Sequence, residues 1–172
     1  MASRVTRHWQ VSALLILFAL LALGYSLVLP LGEAADETDH FALVRFIAEQ
    51  GRPPLTLQER IAIGPKGDAS PIYHGLVALL TQHVDVSALP QLPDTQQRPE
   101  RFIPTDGFRA NRVFHTEDER FPFRGIVLAW HLARLVSIPL GAATVVGAYL
   151  TALAIYPQRC YLAIAAAGLV AF

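Results

Sequence analysis

The 172-residue sequence has little cysteine and no surplus of charge. Its single cysteine, Cys160, excludes an internal disulfide and a zinc site built from cysteines. Fourteen Lys and Arg residues balance fourteen Asp and Glu residues, so no net positive charge points to nucleic acid as a partner. A glycine-rich phosphate loop, a Gly-x-Ser-x-Gly elbow, internal repeats and low-complexity tracts are also missing. The informative feature is therefore where the charged and apolar residues fall along the chain.

The charged residues are concentrated in the middle of the chain. Residues 32–124 contain all fourteen acids and ten of the fourteen basic residues, a net charge of −4 (10 − 14). Hydrophobic residues make up 53% of the chain and are concentrated at its two ends. This distribution predicts a mainly α-helical integral membrane protein in which residues 32–124 form a large extracytoplasmic loop.

The first apolar run covers residues 11–31 and contains no charged residue. At ~1.5 Å rise per residue, about 20 helical residues cross the ~30 Å hydrocarbon core, so we predict a transmembrane helix here. Arg4 and Arg7 place residues 1–10 in the cytoplasm by the positive-inside tendency. A cleaved signal peptide is the alternative interpretation, although the apolar cores of such peptides usually span only ~7–15 residues.

The second apolar block covers residues 125–156 and is interrupted only by His131 and Arg134. Because it is too long for one crossing, we predict an interfacial segment at 125–134 and a second transmembrane helix at 135–156.

The remaining apolar residues lie at the end of the sequence. Residues 157–160 are predicted to form a cytoplasmic turn, and residues 161–172 to begin a third transmembrane helix. This last run is shorter than the about 20 residues that a crossing needs. We therefore expect the chain to be the truncated N-terminal part of a longer protein.

Two amphipathic helices are predicted in the middle segment, near residues 37–50 and 71–83. Asp36 or Thr38 is expected to cap the first helix, and a Ser-Pro pair to open the second. Gly51 ends the first helix.

The stretches around these helices are expected to lack regular structure. Residues 52–68 are predicted to be irregular because they contain several glycines and prolines. Residues 84–124 are predicted to form a long, mostly coil loop that is nevertheless ordered.

Acids and a histidine follow the first apolar run directly: Glu33, Asp36, Glu37, Asp39 and His40. Carboxylate oxygens suit Mg²⁺, Mn²⁺ or Ca²⁺, and a carboxylate at a membrane surface can serve as a general base. Acids at a helix N-terminus also stabilise the helix without any further role. Spacing alone favours this second interpretation slightly.

The remaining histidines and one arginine are weaker candidates. Four histidines lie in the polar segment, but their spacing matches no metal signature, which favours solvated or hydrogen-bonded side chains: His40, His74, His83 and His115. His131 and Arg134 interrupt an apolar block, where a lipid phosphate would suit Arg134. Snorkelling to the interface explains Arg134 equally well.

Several short motifs occur in a recognisable order. They are Asp36-Glu37-x-x-His40, Gly51-x-Pro53-Pro54, Pro71-Ile72-Tyr73, Phe114-His115-Thr116 and His131-Leu132-x-Arg134-Leu135. This order resembles the N-terminal part of polytopic GT-C type glycosyltransferases, the group that includes polyprenyl-phosphate mannosyltransferase-like and aminoarabinose-transferase-like proteins. Thr38 stands where the family signature has proline. Ala69-Ser70 replaces the His and first Pro of the family's His-Pro-Pro-Leu-Tyr element.

The resemblance implies transfer of a sugar from a polyprenyl-phosphate donor to an acceptor on the outer face of the plasma (inner) membrane. It implies that Asp36 and Glu37 act as the acceptor base or as ligands of a divalent cation, with His40 beside them. Substrate contacts would come from three further residues: Tyr73, His131 and Arg134. The implied partners are membrane lipid, the donor and the missing C-terminal helices of the same polypeptide.

Two non-enzymatic interpretations compete with this one. The first is a small membrane subunit of a larger complex. The second is a secreted or anchored binding domain whose first apolar run is a cleaved signal. The second and third apolar runs disfavour the binding domain.

Overall fold

The computed structural model describes residues 8–34, 36–85, 115 and 117–172, and this part of the chain is mainly helical. Helix accounts for 73% of the described residues, and no strand occurs among them. The elements are α1 (Trp9–Val28), α2 (Glu37–Gln50), α3 (Leu57–Ile63), α4 (Pro71–Thr81), a 3₁₀ turn (Glu117–Glu119), α5 (Gly125–Ile155) and α6 (Cys160–Ala171). The prediction of a mainly α fold is confirmed.

Two of these helices, α1 and α5, are long and apolar enough to cross a membrane, judged by length and composition. Helix α1 has 20 residues and ends three residues before the predicted end of the first crossing. Helix α5 has 31 residues and runs without a break. The interfacial segment predicted at 125–134 and the crossing predicted from 135 therefore belong to one helix. The residues between Gly125 and Pro139 contain no helix breaker, and Pro139 itself is accommodated inside the helix.

The described residues form two compact units. The apolar unit contains residues 8–27 and 134–172, from α1, α5 and α6. Its buried cluster consists of one α1 residue, two α5 residues and two α6 residues: Val11, Val145, Tyr149, Ala163 and Ala167. The alanines and Gly141 are small, which lets neighbouring helices pack closely. A methyl group added at Gly141 would lie 2.8 Å from the ring of Phe18.

The polar unit contains the described residues between Val28 and Ala133. Helix α2 packs on α4 and also contacts α3. The largest fully buried side chain is Trp130, from the first turns of α5, and its ring stacks on Phe41 of α2 with centroids 4.5 Å apart. Helix α2 has the bounds that the sequence predicts, and α4 ends two residues earlier than predicted.

Helix α3 lies in the stretch that was predicted to be irregular, and that prediction is wrong. Thr56 and Glu59 form a capping box, in which the Thr56 hydroxyl accepts from the Glu59 N–H at 3.2 Å and the Glu59 carboxylate accepts from the Thr56 N–H at 3.0 Å. The Arg52 guanidinium also binds this carboxylate at 2.6 Å. Arg52, followed by the backbone N–H groups of Thr56 and Leu55, lowers the pKa of Glu59 well below its usual value.

Candidate functional site

Four chemically active side chains of the polar unit meet where the first turns of α2 and α4 pack together. We call this group the α2–α4 site, and it consists of Asp36, His40, Lys66 and His74. Asp36 precedes α2 and His40 lies in its first turn. Lys66 lies in the turn before α4, and His74 lies in the first turn of α4. The site therefore joins side chains that are more than 25 residues apart in sequence.

The local sequence explains how α4 presents His74. Pro71 occupies a first-turn position of the helix, where its missing N–H costs nothing. The Ser70 hydroxyl makes no capping hydrogen bond, but the Ser70 carbonyl lies 2.8 Å from Nδ1 of His74. This contact holds the imidazole against the start of the helix, where His74 is only 4% exposed.

The two histidines of the site form a hydrogen-bonded pair. Nδ1 of His40 lies 2.9 Å from Nε2 of His74, and the rings are nearly parallel at 11°. A carbonyl oxygen only accepts, so Nδ1 of His74 carries a hydrogen and donates it to Ser70. In neutral His74 the other nitrogen, Nε2, is then an acceptor, and Nδ1 of His40 must donate to it. These tautomers are assigned from the hydrogen-bond network.

His74 is suited to remain neutral. Burial lowers its pKa, and the charges of His40 and Lys66 lower it further, while the hydrogen bond to Ser70 acts in the opposite direction. Tyr73 packs edge-on against the His74 ring, with centroids 5.3 Å apart. The buried imidazole thus acts as a hydrogen-bonding link between two helices.

Asp36 occupies the N-cap position of α2, as the sequence predicts, but its side chain forms an ion pair instead of a capping hydrogen bond. Its carboxylate lies 2.9 Å from the Lys66 ammonium, and the side chain makes no capping hydrogen bond. The backbone of Asp36 is left-handed, with φ 59°, a conformation that Asp tolerates better than most residues. Thr38 lies inside the helix. The competing partner Lys66 draws the Asp36 side chain away from the helix N-terminus.

The Asp36 carboxylate is exposed and remains ionised at neutral pH. Its hydrogen bond to Lys66, the charge of Lys66 and, more weakly, the charge of His40 lower its pKa. The side chain is 59% exposed, whereas that of Lys66 is 26% exposed. A carboxylate with a lowered pKa is a weaker base, so Asp36 is better suited to binding a cation or a developing positive charge than to removing a proton.

Glu37, the other predicted carboxylate ligand, has a structural partner. Its side chain accepts a hydrogen bond from the Gly32 N–H at 2.9 Å and so holds the turn before α2. Within the part of the chain that the structure describes, no group of three or more His, Cys, Asp or Glu side chains is placed to hold a metal ion. Magnesium sites often use one or two carboxylates together with substrate phosphates. A cation bound by Asp36 and Glu37 therefore stays a prediction.

The three predicted substrate contacts lie outside the α2–α4 site or beside it. The Tyr73 hydroxyl donates to the Ala133 carbonyl at 3.1 Å, and its ring borders His74. His131 is 5% exposed and stacks on Phe123, with centroids 3.9 Å apart. Arg134 belongs to the apolar unit.

Arg134 has a clear structural role in the apolar unit. Its guanidinium donates to the Ser26 carbonyl at 2.9 Å, in the last turn of α1. A cation at a helix C-terminus satisfies carbonyl groups that lack helical partners and interacts favourably with the helix dipole. The contact of Arg134 with a donor phosphate stays a prediction.

The other histidines of the polar segment do not join the pair. His115 lies 2.8 Å from Glu119 and 2.9 Å from the Val28 carbonyl, and Glu119 also accepts from the Leu31 N–H at 3.2 Å. These contacts hold the start of the polar unit. His83 is exposed beyond the end of α4. Phe114, Thr116 and most of the predicted loop 84–124 lie outside the described residues.

Sequence reasoning missed the roles of Lys66 and His74. Lys66 is the only lysine in the chain and lies in a Gly-Pro-Lys-Gly turn, a signal that could have singled it out. His74 follows Ser70-Pro71 by one helical turn, but its partner on α2 is not visible in the spacing.

Comparisons with known proteins add no assignment to this site. No protein-family model matches the chain, and neither curated proteins nor solved structures yielded a match. The chemistry of the site is therefore argued from its residues: an ionised carboxylate, an ammonium group and two imidazoles linked by a hydrogen bond.

Proposed function

We propose that this chain is part of an integral membrane glycosyltransferase of the GT-C type, which transfers a sugar from a polyprenyl-phosphate donor to an acceptor on the outer face of the plasma membrane. The observation that carries the proposal is the exposed Asp36 carboxylate, paired with Lys66 and adjacent to the His40–His74 pair. This site follows directly on α1, a helix long and apolar enough to cross a membrane.

Membrane insertion is supported by the exposed side chains of α1. Leucine and isoleucine side chains project from this helix without protein cover, for example Ile16 at 61% and Leu20 at 63% exposure. Apolar surface on this scale is costly in water and favourable in lipid. In our proposal, α1 and α5 cross the bilayer, with the polar unit on the outer side and residues 157–160 in the cytoplasm.

The proposed reaction suits the charges of the site. Glycosyl transfer builds positive charge on the sugar in an oxocarbenium-like transition state, and negative charge accumulates on the departing phosphate. Asp36 would stabilise the positive charge directly or hold a divalent cation against the phosphate, with Glu37 as the second candidate ligand. Lys66 would neutralise phosphate charge. Arg134, His131 and Tyr73 remain the proposed contacts of the rest of the donor.

A second candidate function is a non-enzymatic membrane subunit, and the outer face of α4 favours it. Four apolar side chains follow one another at helical spacing on this face and are exposed: Ile72, Leu76, Leu79 and Leu80. The opposite face of α4 is buried, so the helix packs on one side and exposes apolar side chains on the other. Helices of this kind usually have a second partner. Such a subunit needs no ionised carboxylate at Asp36.

The proposed topology predicts which cysteines a membrane-impermeant maleimide can label. In a Cys160→Ala background, Gln58→Cys on α3 is expected to react in intact cells, since the polar unit would face outwards. Gln158→Cys, in the turn before α6, is expected to react only after the cells are permeabilised. Both glutamines are exposed in the structure, so a difference in labelling would not come from burial of one of them within the protein. Labelling of both cysteines in intact cells would overturn the topology.

The proposed reaction predicts that Asp36→Asn lowers sugar transfer by about 10–100-fold, because a charged transition-state contact is removed. Asn tolerates the left-handed backbone of Asp36, so the substitution changes charge with little strain. Transfer is measured in membranes of cells that express the full reading frame, with a panel of radiolabelled polyprenyl-phosphate sugars.

The matched control for this experiment is Asp68→Asn. Asp68 is also an exposed carboxylate in an ion pair, 2.9 Å from Arg60, but it is not part of the α2–α4 site. Asp68→Asn is expected to retain wild-type transfer. Equal transfer by wild-type protein and Asp36→Asn would contradict the proposed role of Asp36, and absence of transfer from every donor by the wild-type protein would favour the membrane subunit.

A further inference from the structure

We propose that Nε2 of His40 accepts the proton of the attacking acceptor hydroxyl, and that His74 is the residue that positions His40 for this task. The inference rests on the proposed glycosyl transfer for the identity of the proton donor. Its structural basis is the hydrogen-bonded chain from the Ser70 carbonyl through His74 to His40.

The direction of these hydrogen bonds determines which nitrogen of His40 carries a free lone pair. Ser70 requires a hydrogen on Nδ1 of His74, and Nε2 of His74 then requires a hydrogen on Nδ1 of His40. The remaining nitrogen of neutral His40, Nε2, therefore carries the lone pair. No hydrogen bond of Nε2 to another described residue competes for this lone pair. His40 is half-buried, so part of the residue is exposed to solvent.

The orientation of His40 is set by a residue that cannot easily move. His74 is 4% exposed, is bonded to Ser70 and is bordered by the ring of Tyr73. A base whose second nitrogen is held by a further group is the usual arrangement for nucleophile activation. Here the further group is a neutral imidazole instead of a carboxylate. When His40 takes up a proton, its Nδ1–H bond to His74 is retained.

The surrounding charges favour His40 as the group that takes up the proton. Asp36, which precedes α2, attracts a protonated His40, whereas Lys66 from the turn before α4 opposes a charge on His74. Burial also disfavours a charged His74. Asp36 is held in its ionised form by Lys66 and is a weak base. Histidine side chains exchange protons near neutral pH, which suits the role of a general base.

The proposed step conserves atoms and electrons. The acceptor O–H bond breaks, and its proton moves to Nε2 of His40, which becomes an imidazolium. The electron pair of the hydroxyl oxygen forms the bond to the anomeric carbon of the sugar. The bond between that carbon and the phosphate oxygen breaks at the same time, and its electron pair leaves with the polyprenyl phosphate. A later transfer of the proton to water restores neutral His40.

The tautomers of the two rings test the arrangement without any sugar substrate. The full chain is labelled with ¹⁵N in its histidine rings, and long-range ¹H–¹⁵N spectra are recorded in detergent micelles. Near neutral pH we expect the Nδ1–H tautomer for both His40 and His74, identified by loss of signals in His40→Gln and His74→Gln. His74 is expected to stay neutral to lower pH than an ordinary histidine, because burial lowers its pKa.

Two substitutions of His74 separate positioning from a merely structural role. His74→Phe removes the acceptor, so His40 is expected to lose its preference for the Nδ1–H tautomer. His74→Gln offers a carbonyl oxygen as acceptor and is expected to preserve it. His83→Phe, at an exposed histidine just beyond α4, serves as the control and should leave the His40 signals unchanged. An Nε2–H tautomer of His40 in the wild-type protein would overturn the inference.

Sugar transfer provides the second readout. His40→Gln is expected to lower transfer by about 10²–10⁴-fold, and His74→Phe is expected to lower it and to shift its pH profile. If the wild-type protein transfers sugar but its His40 is the Nε2–H tautomer, the inference is overturned and the proposed function is left intact. Assigned tautomers without any transfer by the wild-type protein would overturn the proposed function and, with it, the hydroxyl as proton donor. Assigned tautomers together with loss of transfer in His40→Gln would support both.

Discussion

Replacing Trp130 with alanine is expected to lower the free energy of unfolding of the polar unit by about 3–5 kcal/mol, the usual cost of truncating a buried aromatic side chain. Trp130 is 2% exposed and is the largest fully buried side chain among the described residues. The centroids of the Trp130 and Phe41 rings lie 4.5 Å apart, with an angle of 12° between the ring planes. Alanine leaves a cavity at this contact, and the packed helices can fill it only in part.

Amide hydrogen exchange of Glu37–Gln50 measures this loss directly, because α2 carries the stacking partner Phe41. In detergent micelles, protection in Trp130→Ala is expected to fall by about 100- to 4,000-fold, since each ~1.4 kcal/mol corresponds to a factor of ten. Trp9→Ala removes the same side chain from a 62% exposed position in the apolar unit and should leave α2 protected. Unchanged protection in Trp130→Ala would show that the stacking contributes little.

A conservative variant separates packing from hydrogen bonding. The indole N–H of Trp130 is buried and has no hydrogen-bond partner among the residues that the structure describes. An unsatisfied buried donor costs free energy, so Trp130→Phe removes a penalty as well as some packing. Its effect on protection is expected to be clearly smaller than that of Trp130→Ala.

The helices that could be predicted from the sequence are those with strong local signals. In α2, Phe41, Val44 and Ile47 recur at helical spacing and are buried, and Gly51 ends the helix in a left-handed conformation. These signals lie within one short stretch, so they do not depend on the rest of the fold. The same holds for α4, which begins with a proline in its first turn.

Helix α3 was not predicted because its apolar pattern is weak. It has seven residues and none of them is buried. Its stability comes from polar contacts around Glu59, including the capping box with Thr56. The Thr-x-x-Glu signature was present in the sequence, but the neighbouring prolines and glycines suggested a loop.

The expected division of α5 failed for a different reason. It treated residues 125–134 as a separate interfacial segment because the apolar block is too long for one crossing. Residues 126–131 instead bury apolar side chains in the polar unit, while Val145 and Tyr149 of the same helix lie in the core of the apolar unit. Two successive burial patterns thus belong to one helix, and length alone could not distinguish this case from two elements.

The candidate site could be predicted only in part. Asp36, Glu37 and His40 are neighbours in sequence, so their clustering was visible without a structure. Lys66 lies 30 residues after its partner Asp36, and His74 lies 34 residues after its partner His40. Both reach the site only because α4 packs on α2. The sequence predicted Asp36 at the N-cap correctly, but it could not show the ion pair, since the Lys66 ammonium group comes from a distant turn.

The turn that contains Lys66 should also be sensitive to substitution, because Gly67 in this turn lies in close contact with the backbone of α3. A methyl group at Gly67 would overlap the carbonyl oxygen of Arg60 and lie 2.7 Å from its Cα. Backbone atoms cannot rotate away as a side chain can, so Gly67→Ala must displace the turn. We expect a loss of about 1–3 kcal/mol, the range for overpacked sites. Lys66 precedes this position, and its ion pair with Asp36 should weaken as well.

Gly75→Ala is the control with the same chemical change and the opposite expected sign. Gly75 lies inside α4, and a methyl group there would meet nothing within 4 Å. Alanine is favoured over glycine in a helix by about 0.5–1 kcal/mol, so this variant should be at least as stable as the wild-type protein. Denaturant midpoints followed by near-UV circular dichroism in detergent compare the three proteins. If both variants shifted the denaturant midpoint equally, the contact with Arg60 would not be the cause of the shift. A lower midpoint in Gly67→Ala alone would show that the turn carrying Lys66 requires glycine where it approaches the Arg60 backbone.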